Sequence, residues 1–121
     1  MIMCLLDNVG MFSTDMYTEQ TVKTINEHNA SIPLFMMVSY QSPHNPISTP
    51  PEQNMKYYAN VDIDDKDRAG TVTALDYGVQ KIVDELRRSG LYNDSFILFS
   101  SDNGGAGKTF NYPLKGRKNQ V

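Results

Sequence analysis

Val72, Leu75, Val79, Ile82, Val83 and Leu86 recur at spacings of three, four, three, one and three. An α-helix brings such a series onto one stripe, and a helix with one apolar stripe has to cover it with another element. The stop is written as well. Arg87 and Arg88 stand where cations oppose the negative helix terminus, Gly90 suits the left-handed C′ position, and Leu91 can fold back as the apolar contact beyond it. The pattern predicts a helix over about 68–89.

Two continuous apolar runs flank this helix. Leu34-Phe35-Met36-Met37-Val38-Ser39 follows Pro33, and Phe96-Ile97-Leu98-Phe99-Ser100-Ser101 follows the polar stretch after Gly90. Each has strand length, so the order reads as strand, helical crossover, strand: a βαβ unit with parallel strands. Both strands would then end on one edge, where open α/β sheets gather ligands. A shorter helix is expected from about Thr18 to Asn26, capped by Thr18 or Ser13, with Val22 and Ile25 on one face. Residues 1–13 read as irregular around Asp7-Asn8-Val9-Gly10. Four of the six prolines fall in 41–51, which makes that segment loop, and 52–67 reads as surface loop or short helical turns.

The edge carries the chemistry-bearing residues. Phe99 gives way within three residues to Asp102-Asn103-Gly104-Gly105. An anionic and a neutral oxygen suit a hard divalent cation, while Asp, Asn and Gly are also the ordinary residues of a turn. His44 lies between Pro43 and Asn45-Pro46, where a stiffened loop could aim its imidazole, or simply expose it; His28 has only a surface reading. Lys115, Arg117 and Lys118 could bind an oxyanion or form a solvated basic stretch. Gly104, Gly105 and Gly107 make no phosphate loop, and neither G-x-S-x-G nor H-E-x-x-H occurs.

With 11 basic and 14 acidic side chains, a net charge of -3 gives no bulk attraction to nucleic acid or an anionic membrane. The longest apolar runs are too short to span a bilayer, and the first six residues lack the basic flank of a signal peptide. Cys4 is the only cysteine, so no disulfide closes within the chain. Asn29-Ala30-Ser31 and Asn93-Asp94-Ser95 fit the N-glycosylation acceptor pattern.

Taken together, "FSTDMYTEQTV", "PLFMMVSYQSPHNP", "RAGTVTALDYGVQKIVDELRRSGLYNDSFILFSSDNGG" and "PLKGRK" resemble, in order, the middle of type I sulfatases of the arylsulfatase B, I and J group. The resemblance implies an alkaline-phosphatase-like α/β fold, here partial, with 1–121 a piece of the catalytic domain that lacks the nucleophile region and the C-terminal region. It implies that Asp102 and Asn103 are calcium ligands and that His44 contacts a sulfate ester and assists the leaving group. Lys118 would be the lysine on a sulfate oxygen, making His44 and Lys118 the catalytic and substrate-binding residues. Asp76 matches a family acid, read as structural from its place in the helix stripe. The substrate would be a sulfated sugar or glycosaminoglycan, and the compartment lysosomal or secreted, which suits glycans on Asn29 and Asn93. Cys4 resembles a family cysteine whose disulfide partner lies upstream. The family's formylglycine motif, C-x-[PA]-S-R, does not occur: Cys4 is followed by Leu5-Leu6-Asp7. The first calcium-binding aspartate pair and an upstream lysine are missing too. The expectation is therefore a sulfatase fragment inactive by itself. The alternatives are a noncatalytic anion-binding fragment on the same scaffold and, less favoured, a phosphoesterase of the same superfamily.

Overall fold

Two helices crossing at a seam of small side chains organise the chain. The computed structural model describes residues 10–63, 65–106, 111 and 113–120; Cys4, the Asp7-Asn8-Val9 part of the first turn and Gly107 lie outside them. Helix α1 spans Ser13–Glu27, a four-residue helix α2 spans Glu52–Met55 and runs into a 3-10 turn at Lys56–Tyr58, and helix α3 spans Lys66–Arg88. A second 3-10 turn follows at Tyr92–Asp94.

The ends of α3 follow from its sequence. At its start the Asp65 carboxylate accepts the Arg68 backbone N–H at 2.9 Å, satisfying one of the donors a helix leaves open. At its end Gly90 takes φ 74°, Leu91 N–H donates to the Leu86 carbonyl and Gly90 N–H to that of Arg87. These two bonds are the Schellman arrangement expected from Gly90 and Leu91.

The buried face of α3 is not its apolar stripe. Gly70, Thr71, Ala74, Gly78 and Glu85 are buried, whereas Val72 is 47% exposed and Asp76 is exposed. The reading of Asp76 as part of a packed stripe is therefore corrected. The buried set lies one residue off the apolar set, about 100° round the helix. Small residues explain the choice: Gly78 lets α1 approach closely at Thr18, and Gly70 lets Pro50 and Met55 approach.

Helix α1 begins five residues before the expected Thr18, since its packing residues are threonines that do not read as core. Their hydroxyls are satisfied locally. Thr18 donates to the Thr14 carbonyl and Thr21 to that of Tyr17, both at 2.7 Å. Thr18 also pairs with the Tyr40 hydroxyl at 2.8 Å, while Tyr17 and Tyr40 meet edge to face. Burial in this seam raises the Tyr40 phenol above its ordinary range. At the far end the buried Glu85 carboxylate takes two bonds from Arg88 and one from Ser89, and Arg88 reaches Asn26 of α1 at 2.7 Å.

Gly78 sits at the crossing. A Cβ there would lie 2.5 Å from Thr18 Oγ1 and 3.1 Å from Tyr40 Oη. Gly78→Ala is therefore expected to lower stability: the gain in helix propensity is about 1 kcal/mol, whereas overfilling a packed seam costs about 1–3 kcal/mol. Urea titration followed by circular dichroism checks this, and a variant more resistant than its parent would show that the seam opens freely.

The expected parallel strands do not form. Among the described residues none is in a β-strand, and 34–39 and 96–101 pair with no ladder. The α/β architecture with its βαβ unit is thus not what this chain adopts. Apolar length alone does not make a strand, because the strand state depends on a neighbour that accepts and donates its backbone bonds. In 34–40 burial alternates, with Leu34, Met36, Val38 and Tyr40 half-buried and Phe35 and Met37 93% and 81% exposed. The run 96–101 is exposed throughout.

Candidate functional site

The residues singled out in the sequence fall into two loop clusters. In the first, Asp102 and Asn103 follow the exposed apolar run, and the Asn103 amide nitrogen donates to the Asp102 carboxylate. Ser101 Oγ holds the Asn103 carbonyl at 2.6 Å. The other end of the Asn103 amide, Oδ1, is buried with no hydrogen-bond partner. A buried oxygen without a donor is costly, so it marks a place that would accept a hydrogen-bond donor or a cation.

The backbone after Asn103 is closely held. A Cβ on Gly104 would run into the Asn111 amide and lie 3.0 Å from Arg117 Cα, so only glycine fits that approach. Asn111 then works as a suture: its Oδ1 accepts Gly105 N–H at 2.8 Å, and its Nδ2 donates to the Gly116 carbonyl at 3.1 Å. Lys118 N–H donates to the Gly105 carbonyl at 2.9 Å. Asp102-Asn103 and Lys118 are thereby joined in one cluster, beside a recess of about 350 Å³ lined by Ala106, Arg117, Lys118, Asn119 and Gln120. A larger recess of about 450 Å³ lies between α1 and α3 among Val22, Lys23, Lys81 and Arg88, and no site residue named from the sequence lines it.

The second cluster is the proline loop. His44 N–H closes a turn on the Gln41 carbonyl at 2.8 Å, and its Nδ1 lies 2.6 Å from the Asn45 carbonyl. A carbonyl only accepts, so Nδ1 carries a proton, and in the neutral ring Nε2 is the nitrogen with the lone pair. Ser42 and Thr14 hydroxyls pair at 2.6 Å, tying the loop to α1. Arg68 ties it to α3: Nη1 donates to the Pro43 carbonyl at 2.8 Å and Nη2 to Asn45 Oδ1 at 3.1 Å. The bonds of this loop run to the two helices, while those of 102–105 run to 111–118, so the four expected site residues stand as three together and His44 on its own anchor.

Sequence reasoning missed Asn111, Asp65 and Arg68. The last two were legible as Asp65-Lys66-Asp67-Arg68, the spacing of a helix cap and its third residue. Asn111 left no signal beyond an amide before Pro113.

Asn29 and Asn93 are exposed on turns, and Asn29 Oδ1 accepts the Ser31 N–H at 3.0 Å. His28, read from the sequence as a surface residue, is half-buried and bonds through Nε2 to the Ile32 carbonyl at 2.8 Å.

The Asp102-Asn103 pair has the chemistry of hard-cation ligands, a carboxylate and an unpartnered buried amide oxygen on adjacent residues, although it is the amide nitrogen of Asn103 that faces the carboxylate. Among the described residues no three of His, Cys, Asp or Glu gather into a metal cluster, so the pair can furnish only part of a shell.

Comparison with known proteins decides the family. The family model described as Sulfatase matches residues 5–120. The chain belongs to the sulfatase family. Arylsulfatase J of Mus musculus is 37% identical over 112 residues, which is 90% of this chain and 19% of that protein. The uncharacterized sulfatase YdeN of Escherichia coli K12 is 27% identical over 95 residues, 77% of this chain and 17% of that protein. The sulfatase chain thus spans less than a fifth of the length of these curated relatives. No solved structure matches it. Among the described residues no helix is long and apolar enough to cross a membrane.

Proposed function

We propose that this stretch supplies one face of a sulfate-ester hydrolase centre, as part of a sulfatase catalytic domain. The observation that carries the reading is the sutured cluster in which Asp102-Asn103-Gly104-Gly105 is bonded to Lys118 through Gly105 and to Gly116 through Asn111. Asp102 and Asn103 would hold calcium, which when bound polarises a sulfate oxygen and stabilises the charge gathered there. Lys118 offers its ammonium to a second oxygen of the ester, as a point charge on a flexible stem. His44, with Nδ1–H committed to the Asn45 carbonyl, has Nε2 left for the ester; in its protonated form that atom delivers a proton to the departing oxygen.

The substrate class is an aryl- or sugar-type sulfate ester, in keeping with the name of the mouse relative and with sulfated sugars or glycosaminoglycans as natural examples. A secretory or lysosomal setting goes with it, and the exposed Asn29 and Asn93 are the positions for glycans.

The test needs a polypeptide that carries this stretch together with a C-x-[PA]-S-R segment. In it, Asp102→Ala and Lys118→Ala are each expected to lower kcat/KM for an aryl sulfate by about 10²-fold or more, the usual result of removing one preorganised charge stabiliser. Unchanged turnover in either variant would remove that residue from the site.

A further inference from the structure

Two donors of one guanidinium reach the loop that presents His44, and a third anchors that guanidinium to the start of α3. Arg68 Nε donates to Asp65 Oδ2 at 2.9 Å, Nη1 to the Pro43 carbonyl at 2.8 Å and Nη2 to Asn45 Oδ1 at 3.1 Å. The two loop acceptors belong to the residues immediately before and after His44. Asp65 is itself fixed, because its other oxygen takes the Arg68 backbone N–H at the start of α3. Those bonds hold the Asp65 carboxyl below the usual range, with the backbone bond the largest cause.

We propose that Arg68, seated by Asp65, is a positioning residue that clamps Pro43 and Asn45 so that the Asn45 carbonyl captures His44 Nδ1–H and leaves Nε2 for the ester. The inference rests on the reading of His44 given above. Planar geometry is what the clamp needs: a guanidinium presents its donors in a rigid fork, whereas an ammonium is a single mobile charge that cannot hold both loop acceptors in fixed directions. Among the described residues the loop is otherwise bonded through Ser42 to Thr14, by its own turn at His44 and through Pro51 to Asn54, and Arg68 is the group that reaches both sides of the histidine.

The chain supplies its own control. His28 bonds to a carbonyl through Nε2, and His44 through Nδ1, so in the neutral ring the two would hold opposite tautomers. Magic-angle-spinning NMR of the full 121-residue chain, labelled with ¹⁵N and ¹³C at histidine alone, reads both tautomers in dissolved or sedimented material. His28→Gln assigns the two signals.

The expected result is a majority Nδ1–H form for His44, lost in both Arg68→Ala and Arg68→Lys, with the His28 signal unmoved. The lysine variant keeps charge and helix propensity, so it decides the matter should the alanine variant lose its helical signal. A His44 that lacks the Nδ1–H majority in the parent, or keeps it in Arg68→Lys, overturns the clamp. Activity separates this from the site reading. If the tautomer shifts with Arg68 but His44→Ala leaves sulfate-ester turnover of an active longer polypeptide unchanged, the clamp stands and the ester role falls. If the tautomer is unmoved and His44→Ala abolishes turnover, the clamp falls and the ester role stands.

Discussion

The 121-residue chain is expected to release no phenol from an aryl sulfate above the buffer rate, with or without added calcium. Enzymes accelerate hydrolytic reactions by about 10⁶-fold or more, and in a covalent route the nucleophile divides one hard displacement into two easier ones. No C-x-[PA]-S-R segment occurs in this sequence to become that nucleophile. Lys118 and His44 are exposed side chains that can bind or move a proton, and neither can take up a sulfuryl group and be regenerated in the family's manner. A discontinuous assay in a metal-replete, contaminant-free preparation checks this. Saturable turnover that disappears in His44→Ala would mean that the chain attacks the ester by a route without formylglycine.

The second large effect is in solution behaviour. Phe35, Met37, Phe96, Leu98 and Phe99 are 93%, 81%, 91%, 79% and 69% exposed. Burying one such side chain is worth about 1.5–3 kcal/mol, so the five together match the several kcal/mol that association costs in lost freedom. Unpaired apolar segments also carry unpaired backbone groups, which favours pairing between copies. Among the described residues the buried apolar side chains are few, Ile25, Ala74 and Pro50, so the fold has little to set against this. At tens of micromolar the chain should therefore run as oligomers or aggregates in size-exclusion chromatography with light scattering. Replacing Phe35, Met37, Phe96 and Leu98 together by serine should return it to monomer. A monodisperse parent with a cooperative thermal transition would contradict the account of these two segments.

The α3 helix shows what a sequence can carry. Its C-terminal stop is local chemistry, a glycine that takes positive φ and a leucine that folds back, and nothing distant decides it. Its buried face is not local. Which side of α3 is covered depends on α1, where Thr18 and Thr21 bond to their own helix and Thr14 to Ser42, so that they pack without looking apolar. The apolar runs at 34–39 and 96–101 fail for the same kind of reason, since length and hydrophobicity were legible and a pairing neighbour was not. At the site, Asp102-Asn103 and Lys118 were visible as residue types with a suitable chemistry. Their union was hidden because it runs through one amide, Asn111, and through glycine positions where backbone approaches backbone. Arg68 was hidden differently: a charged residue in the first turn of a helix ordinarily faces water, and only the returning proline loop gives its fork something to hold.

Asp102 and Asn103 are proposed to share one calcium ion through a carboxylate and an amide oxygen. Calcium usually takes six to eight oxygens, and the chain offers these two with water to complete the shell, so weak binding with a Kd of about 10⁻³ M or higher is expected. Isothermal calorimetry with calcium on the parent, Asp102→Ala and Asn103→Ala tests it directly. The account predicts weak, saturable binding in the parent that is lost in both variants. Binding that survives both substitutions, or a parent that takes up no calcium at millimolar concentration, would contradict it.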